Sequence, residues 1–242
     1  MSLETLKTKV GKLIEKAQSG GNTDELEAII DNSGVLDNTE GTVTEKVEQL
    51  VAKSADENIW YSWISGSKFA DLFYGFKGTK LPRLNYESCT SLYRCFYGVR
   101  NIERFDFYIN CPNCTNVLNA FGETSIKYLQ GVNTSAVTNA SGFFQNSGIQ
   151  IIEEPFDFSN VTNTNNAFAR SWSLIEIRFV AETIKVSITF GSSNLSAESI
   201  QSIIDGLATV ETAQTLTLHA DVKTKLTQTQ LDTITGKNWS LA

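Results

Sequence analysis

The chain has 242 residues, 41% of them hydrophobic and 19% charged, with a formal net charge of −7. That length allows one or two domains with a sizeable core. No apolar run approaches the roughly 18 residues needed to span a bilayer, and no concentrated positive charge matches a phosphate backbone, so neither a membrane nor nucleic acid is expected as a partner.

The acidity is concentrated at the N-terminal end, where residues 1–57 hold 12 of the 27 acids and only 6 of the 20 bases. Residues 2–18 predict an amphipathic helix, because Leu3, Leu6, Val10, Leu13, Ile14 and Ala17 recur at i, i+3, i+4 spacing. Gly20 and Gly21 end it. The segment is charged throughout and lacks the apolar core of a secretory signal, so the chain is expected either to act where it is made or to leave the cell by another route, such as inside a virion. A second short helix is expected at 24–30. A third is expected at 46–53, capped by Thr42 or Thr44. Trp60 and Trp63 are placed to cover the open N-terminal end of a repeat array.

That array begins at Phe73. Phe73, Phe96, Phe121, Phe144, Phe168 and Phe190 are spaced by 23, 25, 23, 24 and 22 residues, within the period range of leucine-rich repeats. The flanks support the spacing. Seven residues before the Phe stand Cys89, Cys114, Val137 and Val161, followed by Thr90, Thr115, Thr138 and Thr162. Then come Ser91, Asn116, Asn139 and Asn163. After the Phe, strand-like runs are expected at 102–107, 126–129, 149–152 and 174–179, with a weaker copy at 81–84. One unit cannot bury its own apolar side, so stacked units should align their Phe residues in one core. The strands should pair in parallel, and Asn and Thr should satisfy the tight turns.

Four cysteines fall within 26 residues, and Cys111 and Cys114 form a CxxC pair. Zinc or a redox pair is the sharp reading. The repeat offers another, because Cys89 and Cys114 hold the place of Val137 and Val161, and Cys95 that of Ala120 and Ala167. Small buried hydrophobes are therefore expected there, with a disulfide or metal left open. His219 is the single histidine, no nucleophile elbow is present, and a structural role is expected for it. Glu153 and Glu154 adjoin on a strand and should point to opposite faces, which argues against a glycosidase pair. No catalytic, cofactor or metal residue is assigned.

The C-terminal stretch predicts a capped helix at 196–207 with Ile200, Ile203, Ile204 and Leu207 on one face. A strand at 215–218, a helix at 227–235 stopped by Gly236 and a short strand at 239–241 complete the chain.

The segments CTSLYRCFYG at 89–98, CTNVLNAFG at 114–122 and SNVTNTNNAF at 159–168 resemble the BspA-like leucine-rich repeats. Their recurrent phrase is nearly repeated in FDFSNVTN at 156–163. The C-terminal pattern, L-S-x-E-S-I then T-L-T-L then K-x-W-x-L, is similar to a module found in phage tail-associated and prophage proteins. LKTKVGKLIEKA at 6–17 resembles the opening of Gram-positive phage tail proteins. The resemblance implies an α/β-type repeat fold: a short solenoid with parallel strands at 58–193, a helical attachment or oligomerisation segment at 1–57, and a small α+β cap at 194–242. It implies a non-enzymatic, tail-associated virion protein, made in the host cytoplasm, homo-oligomeric, contacting virion proteins or a host surface receptor. A bacterial surface adhesin and a structural head-fibre or neck component are the alternatives. The expected contact residues lie outward on the strands: Arg104, Tyr108, Lys127, Tyr128, Glu176 and Arg178.

Overall fold

A computed structural model describes residues 69–79, 81 and 84–242. The helices expected at 2–18, 24–30 and 46–53, and Trp60 and Trp63, lie outside the described residues, as does part of the run at 81–84. Residues 69–76 and 86–242 belong to one compact unit, and the described residues of 77–85 to another. The Phe repeat and the C-terminal elements all lie in the first of these units.

The fold is α/β, built from two small parallel sheets and few helices. The first sheet holds β1 (Arg104–Ile109), β2 (Tyr128–Val132) and β3 (Ile151–Ile152) in that order. The second holds β4 (Ile188–Phe190), β5 (Gln214–Leu218) and β6 (Trp239–Leu241). Helix α1 (Ala197–Gly206) connects β4 to β5, and α2 (Ala220–Lys223) and α3 (Gln228–Gly236) connect β5 to β6. Parallel neighbours need such crossovers. Among the described residues no helix is long and apolar enough to cross a membrane.

The repeat's backbone is organised around its phenylalanines. Each of the first five Phe residues sits midway between two residues in the left-handed region, at offsets of two before and two after. Those pairs are Asp71 and Gly75, Arg94 and Gly98, Asn119 and Glu123, Gly142 and Asn146, and Asn166 and Arg170. Most of these positions are not glycine, so each carries a conformational cost of about 1–2 kcal/mol. What holds them is a backbone ladder between turns. The Phe73 N–H donates to the Cys95 carbonyl at 2.8 Å, Phe96 to Ala120 at 2.9 Å, Phe121 to Phe143 at 2.9 Å and Phe144 to Ala167 at 2.7 Å. The left-handed residues donate across the same gap, as Arg94 does to Leu118 at 2.9 Å and Asn119 to Ser141 at 3.0 Å.

The rings obey the backbone register. Phe73 stacks on Phe96, Phe96 on Phe121, Phe121 on Phe144, Phe144 on Phe168 and Phe168 on Phe190, with centroids 5.6, 4.9, 5.2, 5.7 and 4.8 Å apart. All six are buried. Phe105, Phe156 and Phe179 pack against this column from the strand side, and Phe143 from the turn itself.

Thr and Asn divide the turn chemistry between them. The hydroxyls of Thr115, Thr138 and Thr162 donate to the carbonyls of Thr90, Thr115 and Thr138 in the preceding unit. The Asn side chains stay in their own unit, where Asn116, Asn139 and Asn163 accept from the N–H two residues on, at 3.0, 3.1 and 3.0 Å. Each such Asx turn satisfies an N–H that no ladder reaches.

The strands differ in extent from the sequence reading. β1 begins and ends two residues later than expected, and carries a register shift between Phe105 and Tyr108. β3 is cut to two residues, with Pro155, which has no N–H, three positions on. The run at 174–179 forms only the isolated bridges Ile151↔Glu176 and Phe156↔Phe179. On its far side a helix takes the place of a strand: Ile177 and Phe179 donate their N–H groups to the Ser199 and Ser202 hydroxyls of α1, at 2.9 and 3.0 Å. These serines close the sheet edge that would otherwise be open.

The C-terminal elements lie close to expectation. Ser196 caps α1 by accepting from Ser199 N–H, and Thr227 with Gln230 forms a capping box on α3. Lys237 donates to the carbonyls of Ile204, Asp205 and Leu207 at the end of α1. The unexpected element is α2, for which His219 is the N-cap. Because β4 pairs with β5, hydrogen bonds run straight across residue 193, where the repeat was expected to give way to its cap.

Phe121→Ala should cost about 3–5 kcal/mol in urea unfolding, because the ring is fully buried between two stacked neighbours. Trp172→Ala, at a side chain 64% exposed, should stay within about 0.5 kcal/mol. Gly142→Ala should be destabilising by more than about 1 kcal/mol, since φ is +61° and the new Cβ would run into Asn119 Oδ1.

Candidate contact surface

The outward side of the first sheet is set by register. Arg104, Tyr128, Ile151 and Glu176 occupy one row across four successive units, and Phe105, Leu129 and Ile152 the next row, facing the core. Alternation along β1 leaves Arg104, Asp106 and Tyr108 exposed and buries Phe105 and Ile109.

The six expected contact residues are brought to this side. Arg104 lies 4.1 Å over the Tyr128 ring and pairs with Asp106 at 2.8 Å. Tyr128 donates its hydroxyl to Glu153, whose backbone carbonyl accepts from Arg178 at 3.2 Å. The Glu153 contact raises the Tyr128 phenol above its ordinary value. Lys127 pairs with Glu103 at 2.7 Å. Tyr108 lies on the bare backbone of Gly131, where a Cβ would come within 3.0 Å of its ring. Arg104, Tyr108, Lys127 and Arg178 are exposed, and Tyr128 and Glu176 half-buried. Each exposed ion pair contributes about 0–1 kcal/mol, so this face is ordered by the ladder beneath it. Glu153 and Glu154 both lie exposed and do not alternate as expected, because β3 ends at Ile152 before either is reached.

A second group, on the turn side, was missed from sequence. Tyr74 stacks on Tyr97 with centroids 5.4 Å apart and planes at 8°. Arg94 sits 5.0 Å from the Tyr74 ring and 4.7 Å from the Tyr93 ring, and pairs with Asp71 at 2.8 Å. The Tyr97 ring lies over Gly122, and its hydroxyl bonds Glu123, which pairs with Arg100 at 3.1 Å. The signal was available: Tyr74, Tyr97 and Gly122 each stand directly after a repeat Phe, so they stack by the same register.

The four cysteines are free thiols with no exposed surface. Cys89 and Cys111 neighbour Cys114, whose thiol donates to the Asn116 carbonyl at 3.5 Å. Cys111 also donates to the Asn133 carbonyl at 3.3 Å. Beside them is Tyr86, 3% exposed, whose hydroxyl has no hydrogen-bond partner. Burial pushes its phenol well above the ordinary value, with Cys95, Cys89 and Cys111 adding to the effect. Burial does the same to the Cys95 thiol. Among the described residues no group of three or more His, Cys, Asp or Glu side chains is arranged to hold a metal ion.

His219 uses Nδ1 to accept from the Asp221 N–H at 3.3 Å, as a helix cap. An open cavity of about 410 Å³ beside α1 is lined by Leu195, Ala197, Ile200 and Leu226, with Lys225 and Gln230 on its wall. No acid, histidine or cysteine lines it.

No family model matches this chain, and neither a curated protein nor a solved structure matches it.

Tyr86 yields a pH prediction. The unfolded chain ionises a cysteine near pH ~8.5 and a tyrosine near ~10, and below about pH 8 both states keep these protons. The folded values of Tyr86 and Cys95 are raised. As pH climbs past the unfolded values, the unfolded state therefore releases protons that the folded state retains, and stability falls. The urea midpoint should decline from about pH 8 upward, and less steeply in Tyr86→Phe. At neutral pH that variant should be as stable as the parent or more so, because it removes an unsatisfied hydroxyl worth about 1–3 kcal/mol. An equally steep alkaline decline in the variant would clear Tyr86 of the effect.

Proposed function

We propose that residues 58–193 form a short leucine-rich-repeat solenoid closed by 194–242, and that the chain is a non-enzymatic binding scaffold of a phage virion, associated with the tail. Its strand face contacts a host-surface receptor or a neighbouring virion protein. Residues 1–57 attach or oligomerise it.

The observation that carries this reading is the row Arg104, Tyr128, Ile151 and Glu176, with Lys127 and Arg178 beside it, displayed at one side chain per unit. Such a face, mixed in aromatic and charged groups and held on a rigid backbone ladder, suits recognition of a protein or glycan surface. The same register in the turns and the Phe column is what a solenoid requires. Virion and tail rest on the resemblance of FDFSNVTN at 156–163 and of the C-terminal pattern at 195–241. A binding role also fits the chemistry of the candidate catalytic groups: His219 is occupied as a helix cap, and the thiols are buried in the core.

Alanine at Arg104, Tyr108, Lys127, Tyr128, Glu176 and Arg178 together should weaken adsorption of the purified chain to host cells, or its capture by intact particles, by at least about tenfold. Single substitutions at the exposed members should leave unfolding within about 0.5 kcal/mol of the parent. Antibody labelling of particles should decorate the tail. Label on the bacterial surface in the absence of particles would favour an adhesin, and label on the head or neck a structural component. Unchanged binding by the folded six-alanine variant would remove the strand face.

A further inference from the structure

Cys111 and Cys114 close a four-residue turn, in which the Cys114 N–H donates to the Cys111 carbonyl at 3.0 Å. Such a turn holds its end Cα atoms within about 7 Å, and a disulfide asks for roughly 4.4–6.8 Å. Both side chains are fully buried at the two ends of this one turn. Cys89 also neighbours Cys114, but it occupies the same repeat place one unit earlier. Its Cβ therefore runs alongside that of Cys114, about 4.8 Å away, and a disulfide needs Cβ atoms about 3.8 Å apart. The neighbouring Cys111 and Cys89 side chains lower the Cys114 thiol below its ordinary value. The Tyr86 hydroxyl, buried among the same cysteines without a partner, is a further donor facing this group.

We infer that Cys111 and Cys114 are a redox-active pair that closes to a disulfide under a small peroxide oxidant, with Cys89 as a bystander. All four thiols lack exposed surface, which selects hydrogen peroxide over a bulky disulfide as the oxidant. Cys114 gives up its thiol proton, the thiolate attacks one peroxide oxygen, the O–O bond breaks, and the hydroxide that leaves takes up that proton as water. Cys114 is then a sulfenic acid. Cys111 loses its proton, its sulfur attacks that of Cys114, and the S–O bond breaks to release a second water. Two thiols are oxidised to one disulfide, and one peroxide is reduced to two waters. The buried CxxC is then a site of oxidative modification, separate from the proposed contact surface.

The test is peptide mapping of the full-length chain after hydrogen peroxide treatment, with the remaining thiols alkylated under denaturation before trypsin digestion. Residues 105–127 form one tryptic peptide that holds both Cys111 and Cys114, whereas Cys89 lies in 84–94 and Cys95 in 95–100. The expected result is peptide 105–127 lighter by two hydrogens and not alkylated, restored by dithiothreitol, with Cys89 and Cys95 alkylated as in the untreated chain. Cys89→Ala, checked for folding by circular dichroism, should still form it. Cys111→Ser, checked in the same way, should trap Cys114 as sulfenic acid, detectable with dimedone. A cross-link between 84–94 and 105–127 would overturn the pairing. Four fully alkylatable thiols, or direct passage of Cys114 to sulfonic acid in the parent chain, would overturn the redox role. One equivalent of tightly held zinc that protects the thiols would overturn both.

Discussion

The backbone N–H groups of Phe73, Phe96, Phe121 and Phe144 each donate to the next unit, and that ladder fixes more of this molecule than any side-chain contact. Two left-handed residues flank each of the first five Phe residues, and most of them are not glycine. Isolated, such turns would relax, because the left-handed region is unfavourable for side chains with a Cβ. They persist because turn after turn offers its donors to the carbonyls of the next at 2.7–3.0 Å. Their stability therefore comes from the neighbour, which is the general property of a stacked repeat. The Phe column and the Asx turns both depend on this ladder. A ring can stack on its counterpart only when the two backbones are in register.

The same dependence explains the two edges of the strand face. Where a neighbouring strand is present, as between β1 and β2, the outward side chains form an ordered row. Where the next element is a helix, the serines of α1 supply the acceptors in its place. The proposed contact surface is thus a by-product of the ladder. Its cation–π contact and ion pairs are individually weak, and their placement is set by a backbone that does not need them.

Burial of the cysteines has a different consequence. They fill positions where valine and alanine suffice in later units, and in that sense they are ordinary core residues. Packing them together, however, brings Cys89 beside the Cys111–Cys114 turn and places an unsatisfied phenol next to them. A buried site with hydrogen-bonding potential is what the core retains from that choice.

Much of this was legible in the sequence. The period located every Phe of the column, and Ser196, Thr227 and the apolar face of α1 announced the C-terminal helix boundaries, because these are local signals of spacing and capping. Of the outward set, Arg104 and Tyr108 follow the alternation along β1, whereas Lys127 and Tyr128 are adjacent and alternation alone could not name both. Four features were decided by the tertiary structure. The left-handed residues are Asp, Arg, Asn and Glu as well as Gly, so no residue type flagged them, and only bonds from a unit some 23–25 residues away make them tolerable. The run at 174–179 has strand composition yet lacks a strand partner, because α1 occupies that edge. Tyr74, Tyr93, Tyr97 and Arg94 meet only once the units stack. Cys89 comes beside Cys114 for the same reason, whereas Cys111 meets it within a single turn. Sequence spacing stated which residues are equivalent, whereas contact between equivalents depends on which backbone groups find partners when the chain folds.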